Sequence, residues 1–169
     1  MHKSNRLRFL SNYWLLWGLL LGLSLSWSCQ KALLPQDPQS RPDLAMETFE
    51  QINRLRLQNG LNALTWESPI ADLALGHSMN MALGEAVFGH DGFSERIESL
   101  RSRYSFSAAG ENIGYVKGYD RPVDEIVGRW MQNAEHRDNI LGAFHLTGVG
   151  VAEGPDGEFF ITQLFLRVK

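Results

Sequence analysis

The sequence holds one cysteine, Cys29, in 169 residues, so no disulfide can close within the chain and the fold must rest on its apolar core alone. Positive charge is also scarce. The formal net charge is −3, an acidic balance that suits neither nucleic acid nor an anionic bilayer surface. There is no internal repeat, no helix with paired histidines at metal-binding spacing, and no nucleophile next to a base. The short sequence signatures of zinc proteases and of triad hydrolases are therefore missing.

What is present begins at the N-terminus. Residues 1–28 carry Lys3, Arg6 and Arg8 without any acid, then an apolar run from Tyr13 to Leu25, then Ser26 and Ser28 just before Cys29. Basic, apolar and small is the order of a secretory signal, and the run is short for a permanent span, which needs roughly 20 apolar residues. Cys29 stands where a bacterial lipoprotein signal places the residue that receives the lipid, although Ser26 and Trp27 depart from the usual lipobox. The plainer reading of Cys29 is a thiol near a cleavage point. An extracytoplasmic location is expected, secreted or membrane-anchored through Cys29, with membrane contact through the N-terminus only. Loss of residues 1–28 removes three positive charges and moves the formal charge from −3 to −6. Residues 29–43 contain Pro35, Pro38 and Pro42, half of the six prolines, and read as a tether. The folded domain is expected over residues 44–169.

Within that domain Met46, Phe49, Ile52 and Leu55 mark a helix from Leu44 to Gln58, with Asp43 as a cap and Gly60 as a stop. Ser68 as N-cap and Pro69 at the first turn open a second helix through Ile70, Leu73, Ala74, His77 and Met81, ending near Gly84. Ser94 caps a short third helix to Arg101. Tyr104 to Gly118 has several glycines and no clean period, and reads as loop with at most a short strand. Val123, Ile126, Val127, Trp130 and Met131 mark a fourth helix, with Asp120 and Pro122 at its start. Leu146 to Glu153 and Glu158 to Val168 flank Gly-Pro-Asp-Gly and read as a hairpin whose second strand is apolar on both faces. Helices on both sides of a short, largely antiparallel sheet follow, an α+β arrangement of three layers.

Three polar clusters carry possible chemistry: Gly89-His90-Asp91-Gly92-Phe93, Gly110-Glu111-Asn112-Ile113-Gly114, and His136-Arg137-Asp138-Asn139. All three are expected on loops. Two imidazoles and a carboxylate suit zinc and its neighbours, but histidines in turns are more often hydrogen-bonded structural residues. His77, on the apolar stripe of its helix, reads as a bonded core histidine. Asn112 and Asn139 read as braces for backbone groups, and Trp66 and Trp130 as core.

The ordered motifs NRLRLQNGLNALTW, LALGHSMNMA, GHDGF, GENIG, IVGRWMQNAEHRDNIL and GVGVAEGPDGEFFITQLF resemble the bacterial branch of the CAP superfamily, whose members include cysteine-rich secretory proteins, venom antigens and plant pathogenesis-related proteins. The resemblance covers about residues 44–168. It implies an α-β-α sandwich with a central cleft holding two histidines and two glutamates. By position it assigns His90, Glu111 and His136 to that cleft. The second glutamate is expected three residues after Trp130, where this chain has Asn133. Asn133 and neighbouring Glu135 are the candidate additional cleft residues: Glu135 either turns inward or is a solvated loop charge, the second being the preferred reading.

Two functions are in play. One is a binding module of the cell envelope whose partner is a glycan, lipid, peptide or protein. The other is a metal-assisted hydrolase of protease or nuclease type, with His90 and His136 holding a divalent ion such as zinc and Glu111 as general base. The missing second carboxylate favours the first reading, and a purely structural knot of the same three residues is a third.

Overall fold

The computed structural model describes residues 37–169. The signal segment, Cys29 and the tether up to residue 36 lie outside the described residues. The chain runs β1 (Gln39–Ser40), α1 (Pro42–Gln58), β2 (Thr65–Trp66), α2 (Ser68–Ala82), α3 (Phe93–Ser99) with a 3-10 turn at Leu100–Ser102, β3 (Phe106–Lys117), α4 (Pro122–Gln132), α5 (Ala134–Ile140), β4 (Leu146–Glu153) and β5 (Glu158–Val168). The sheet order is β1-β4-β5-β3, and β2 also pairs with β4. Every pairing is antiparallel except β2 with β4.

The hairpin forms as its sequence dictates, and its second strand is covered on both sides. Ile161 and Phe165 join the core beneath α1 and α4, with Ile52, Val127 and Trp130. Leu164 and Leu166 join a second core with Ile70 and Ala74 of α2 and Ile97 of α3. Alternation along one strand thus supplies two cores, and the result is the expected three-layer α-β-α sandwich.

Several local expectations are overturned. The stretch read as loop, Tyr104 to Gly118, contains the twelve-residue strand β3. Its glycines are close-approach positions rather than breaks: a Cβ on Gly110 would sit 2.6 Å from Asn139 Oδ1, and one on Gly114 would collide with Ile126. A fifth helix, α5, stands where a loop was expected after α4. The helix starts also lie earlier than their polar residues suggested. Arg41, Glu67 and Gly92 occupy the N-cap positions, so Asp43, Ser68 and Ser94 lie inside the first turns. Asp43 instead pairs with Arg41, which also reaches Glu153 at 2.7 Å. The fold therefore takes in β1 and the start of α1, residues that composition placed in the tether.

The buried face of α1 is Ala45, Thr48, Ile52 and Arg56, while Met46 is exposed. Arg56 is a buried cation with no acid paired to it among the described residues. Its guanidinium donates to the carbonyls of Asn62, Ile140, Gly142 and Phe144, which stitches α1 to the turn between α5 and β4. On the opposite face, a Cβ on Gly148 or Gly150 would overlap the backbone of α2. These two glycines let α2 lie directly on β4, where Ser78 donates to Gly150 O at 3.0 Å.

Candidate functional site

Strand β3 is one edge of the sheet, and the candidate site is built along it from both outer layers. Close seating of α2 buries His77. Its Nε2 donates to Gly89 O at 2.8 Å, which pins the turn between α2 and α3. Burial holds the His77 imidazole below its ordinary pKa, outweighing the bond to Gly89 O, which raises it. His77 is thus the bonded core histidine that its helical position suggested, and it fixes the turn that carries His90.

From that turn His90 Nδ1 meets Glu111 Oε1 at 2.9 Å. Glu111 projects from β3 on the α2 side, since it pairs with Leu164. Its side chain is 2% exposed, against 56% for His90. The other carboxylate oxygen, Oε2, accepts from Arg96 Nε at 3.1 Å and from Arg96 Nη2 at 2.6 Å. Arg96, on α3, also donates to Asp91 O at 2.8 Å. A buried carboxylate is stable only with partners of this kind. Both oxygens of Glu111 are therefore engaged, one by a fixed cation. The signal of Arg96 in the sequence is its place six residues beyond His90, on α3.

The third predicted residue approaches from the other face. Asn133 caps α5, its Oδ1 accepting from His136 N at 3.0 Å. The amide that stands where the resemblance expects a glutamate therefore orients the helix carrying His136. The His136 ring lies 6.3 Å from Trp130, centroid to centroid. Burial, and then the nearby charge of His90, lower its pKa, while Glu135 raises it. Glu135 itself is exposed in the first turn of α5.

Amide braces tie α5 to β3. Asn139 Nδ2 donates to Glu111 O at 3.1 Å and to Asn112 Oδ1 at 2.9 Å, and Asn112 Nδ2 donates to His136 O at 3.0 Å. Beside them Trp130 Nε1 donates to Ile113 O at 3.0 Å. Strand β3, α4 and α5 wall an open groove of about 420 Å³ lined by Phe88, Ile113, Tyr115, Arg129, Trp130 and His136; of the three predicted cleft residues His136 lines it, while the His90–Glu111 pair is not among its lining residues. His90, Glu111 and His136 come from a turn, a strand and a helix, not from three loops.

The donor set does not fit a divalent ion held by two imidazoles and a carboxylate. Among the described residues no group of three or more histidine, cysteine or acidic side chains is placed to hold a metal, and the two Glu111 oxygens already meet His90 Nδ1 and the Arg96 guanidinium.

Residues 49–165 match the model of the CAP family, described as the cysteine-rich secretory protein family. An uncharacterized membrane protein of Bacillus subtilis, YlbC, is 34% identical over 126 residues, which is 72% of this chain and 34% of that protein. An extracellular protein of Bacillus anthracis containing an SCP domain is 29% identical, with a TM-score of 0.59 over 75% of this chain and 41% of that one. An outer surface protein of Borrelia burgdorferi shares the fold at 15% identity, with a TM-score of 0.65 over 78% of this chain and 98% of that one. The chain thus spans about a third of the length of the Bacillus subtilis protein. With the sandwich, the ordered motifs and the family match in agreement, the chain belongs to the CAP, or cysteine-rich secretory protein, family.

Proposed function

We propose that this chain is an exported CAP-domain binding module of the bacterial cell envelope that presents its His/Glu cleft to a glycan, lipid, peptide or protein partner and does not hydrolyse it. The observation that carries this reading is the state of Glu111, buried with both oxygens engaged by His90 and Arg96. A general base needs a free lone pair facing the reacting proton, and three of the roughly four lone-pair directions of the Glu111 carboxylate are taken by His90 and Arg96. Export is supported by the signal-like order of residues 1–28 and by the membrane, extracellular and outer-surface descriptions of similar proteins. In this proposal anchoring takes the form of attachment through the N-terminal segment or Cys29, which stands where a lipoprotein signal places the residue that receives the lipid.

The test is turnover. Purified protein is offered peptide, ester, glycan and nucleic-acid substrates alongside the His90→Ala and His136→Ala variants. No turnover above that of the variants is expected. Hydrolysis that either replacement abolishes would refute the binding reading.

A further inference from the structure

The groove along β3 has an unusual balance of hydrogen-bonding groups. Residues of an edge strand present every second N–H and C=O outward, both groups of one residue pointing the same way. On β3 the outward carbonyls are satisfied by side chains of α4 and α5: Glu111 O by Asn139, Ile113 O by Trp130, and Tyr115 O by Arg129 at 3.4 Å. The N–H groups of Ile113 and Tyr115 share that direction and meet no acceptor among the described residues. Gly114 between them also lines the groove, beside Ile126, which fills the space a side chain there would take. Two donors about 7 Å apart, twice the rise per strand residue, thus face a groove whose outward strand carbonyls are taken.

One wall of the groove is aromatic. Phe88 is 53% exposed and Tyr115 40% exposed. Their rings meet edge to face at 6.3 Å, and Tyr115 in turn rests on Phe160 at 5.3 Å. Exposed rings braced in this way give a flat apolar surface that loses little side-chain freedom on contact.

We propose, building on the binding reading above, that the ligand of this groove is a neutral N-acetylated glycan, with its acetamido carbonyls on the N–H groups of Ile113 and Tyr115 and a sugar face on Phe88 and Tyr115. An added peptide strand fits less well, because its own N–H groups would face carbonyls that Asn139, Trp130 and Arg129 already occupy. An acyl chain would bury the two free donors without a partner, which is unfavourable. The acidic domain disfavours an anionic ligand. An acetamido sugar brings acceptors, flat apolar faces and no charge.

The experiment titrates the full-length protein with the trisaccharide of N-acetylglucosamine, following backbone amide and indole resonances, with glucosamine and glucose trisaccharides as controls. Saturable shifts are expected at the Ile113 and Tyr115 amides and the Trp130 indole, with binding at least about tenfold weaker for the two controls, the scale of one lost hydrogen bond. Phe88→Ser changes an exposed residue and is expected to weaken the acetylated ligand about tenfold, which about 50 Å² of apolar contact accounts for. Equal binding of all three sugars, or no saturable shift with any of them, would overturn the glycan assignment while leaving the binding reading in place. Cleavage of the trisaccharide that His90→Ala abolishes would overturn the binding reading instead.

Discussion

Replacing Arg96 by methionine keeps most of the apolar stem and removes the charge that Glu111 faces. In the folded protein the Glu111 side chain is 2% exposed and the Arg96 side chain 13% exposed. Removing one member of such a buried pair ordinarily costs about 3–5 kcal/mol, because the remaining charge is left without compensation. His90 still donates to Oε1, but its side chain is 56% exposed and screened by water. A loss of about 3 kcal/mol is expected, near the lower end of the range. For a domain of this size that lowers the thermal midpoint by roughly 10 °C. Urea unfolding followed by tryptophan fluorescence measures it, since Trp130 is buried in the core. A cycle with Glu111→Gln isolates the pair: the two replacements should couple by about 1.5 kcal/mol or more. Additivity within about 0.5 kcal/mol would refute the claim that Arg96 holds the Glu111 carboxylate.

Other consequences can be measured separately. The folded-state pKa values of His77 and His136 are lowered, chiefly by burial, so the unfolded chain takes up protons first as the solution is acidified. Stability contributed by these rings is therefore complete above the ordinary imidazole value of about 6.5 and is lost as pH falls from there through the lower folded values. Urea midpoints at pH 7.5 and pH 5 should show this loss, and His77→Gln should reduce it; an unchanged slope in the variant would count against it. Asn133→Ala removes the cap of α5 and should cost about 1 kcal/mol, most of which Asn133→Asp restores. Thermal unfolding of the two variants side by side checks that ordering. Gly150→Ala places a methyl group into the backbone of α2 at Leu75 and should cost at least about 3 kcal/mol or prevent folding, because a helix backbone cannot rotate aside as a side chain can. Soluble protein of wild-type stability would contradict the close seating of α2 on β4.

The parts of the fold that burial alone dictates were readable from the sequence. The hairpin around Gly-Pro-Asp-Gly and the stripe of Val123, Ile126, Val127 and Trp130 carry their own periodicity, and both appear where expected. Strand β3 did not, because Gly110 and Gly114 look like loop residues until the helices that approach them are known. Helix α5 is seven residues long, too short for a periodic pattern to emerge. Its signal is the cap at Asn133, which was noticed only as a missing glutamate. His90 and Glu111 are legible as candidates in the sequence, but their contact is made only by the fold. Arg96 escaped because an arginine beside two acids on a short helix looks like an ordinary solvated charge, and only the three-dimensional path of α3 turns it inward onto Glu111. Arg56 escaped for a similar reason, since its partners are backbone carbonyls that carry no mark in the sequence.

The state of Glu111 is tested most directly by zinc titration of the full-length protein at pH 7, comparing wild type with Glu111→Gln by competition against a chelator. A carboxylate already held by Arg96 and His90 predicts weak affinity, above about 10 μM, that the replacement leaves unchanged within about twofold. Binding below about 1 μM that Glu111→Gln weakens tenfold or more would show that the carboxylate is free to ligate, and would restore the metal-assisted reading of this cleft.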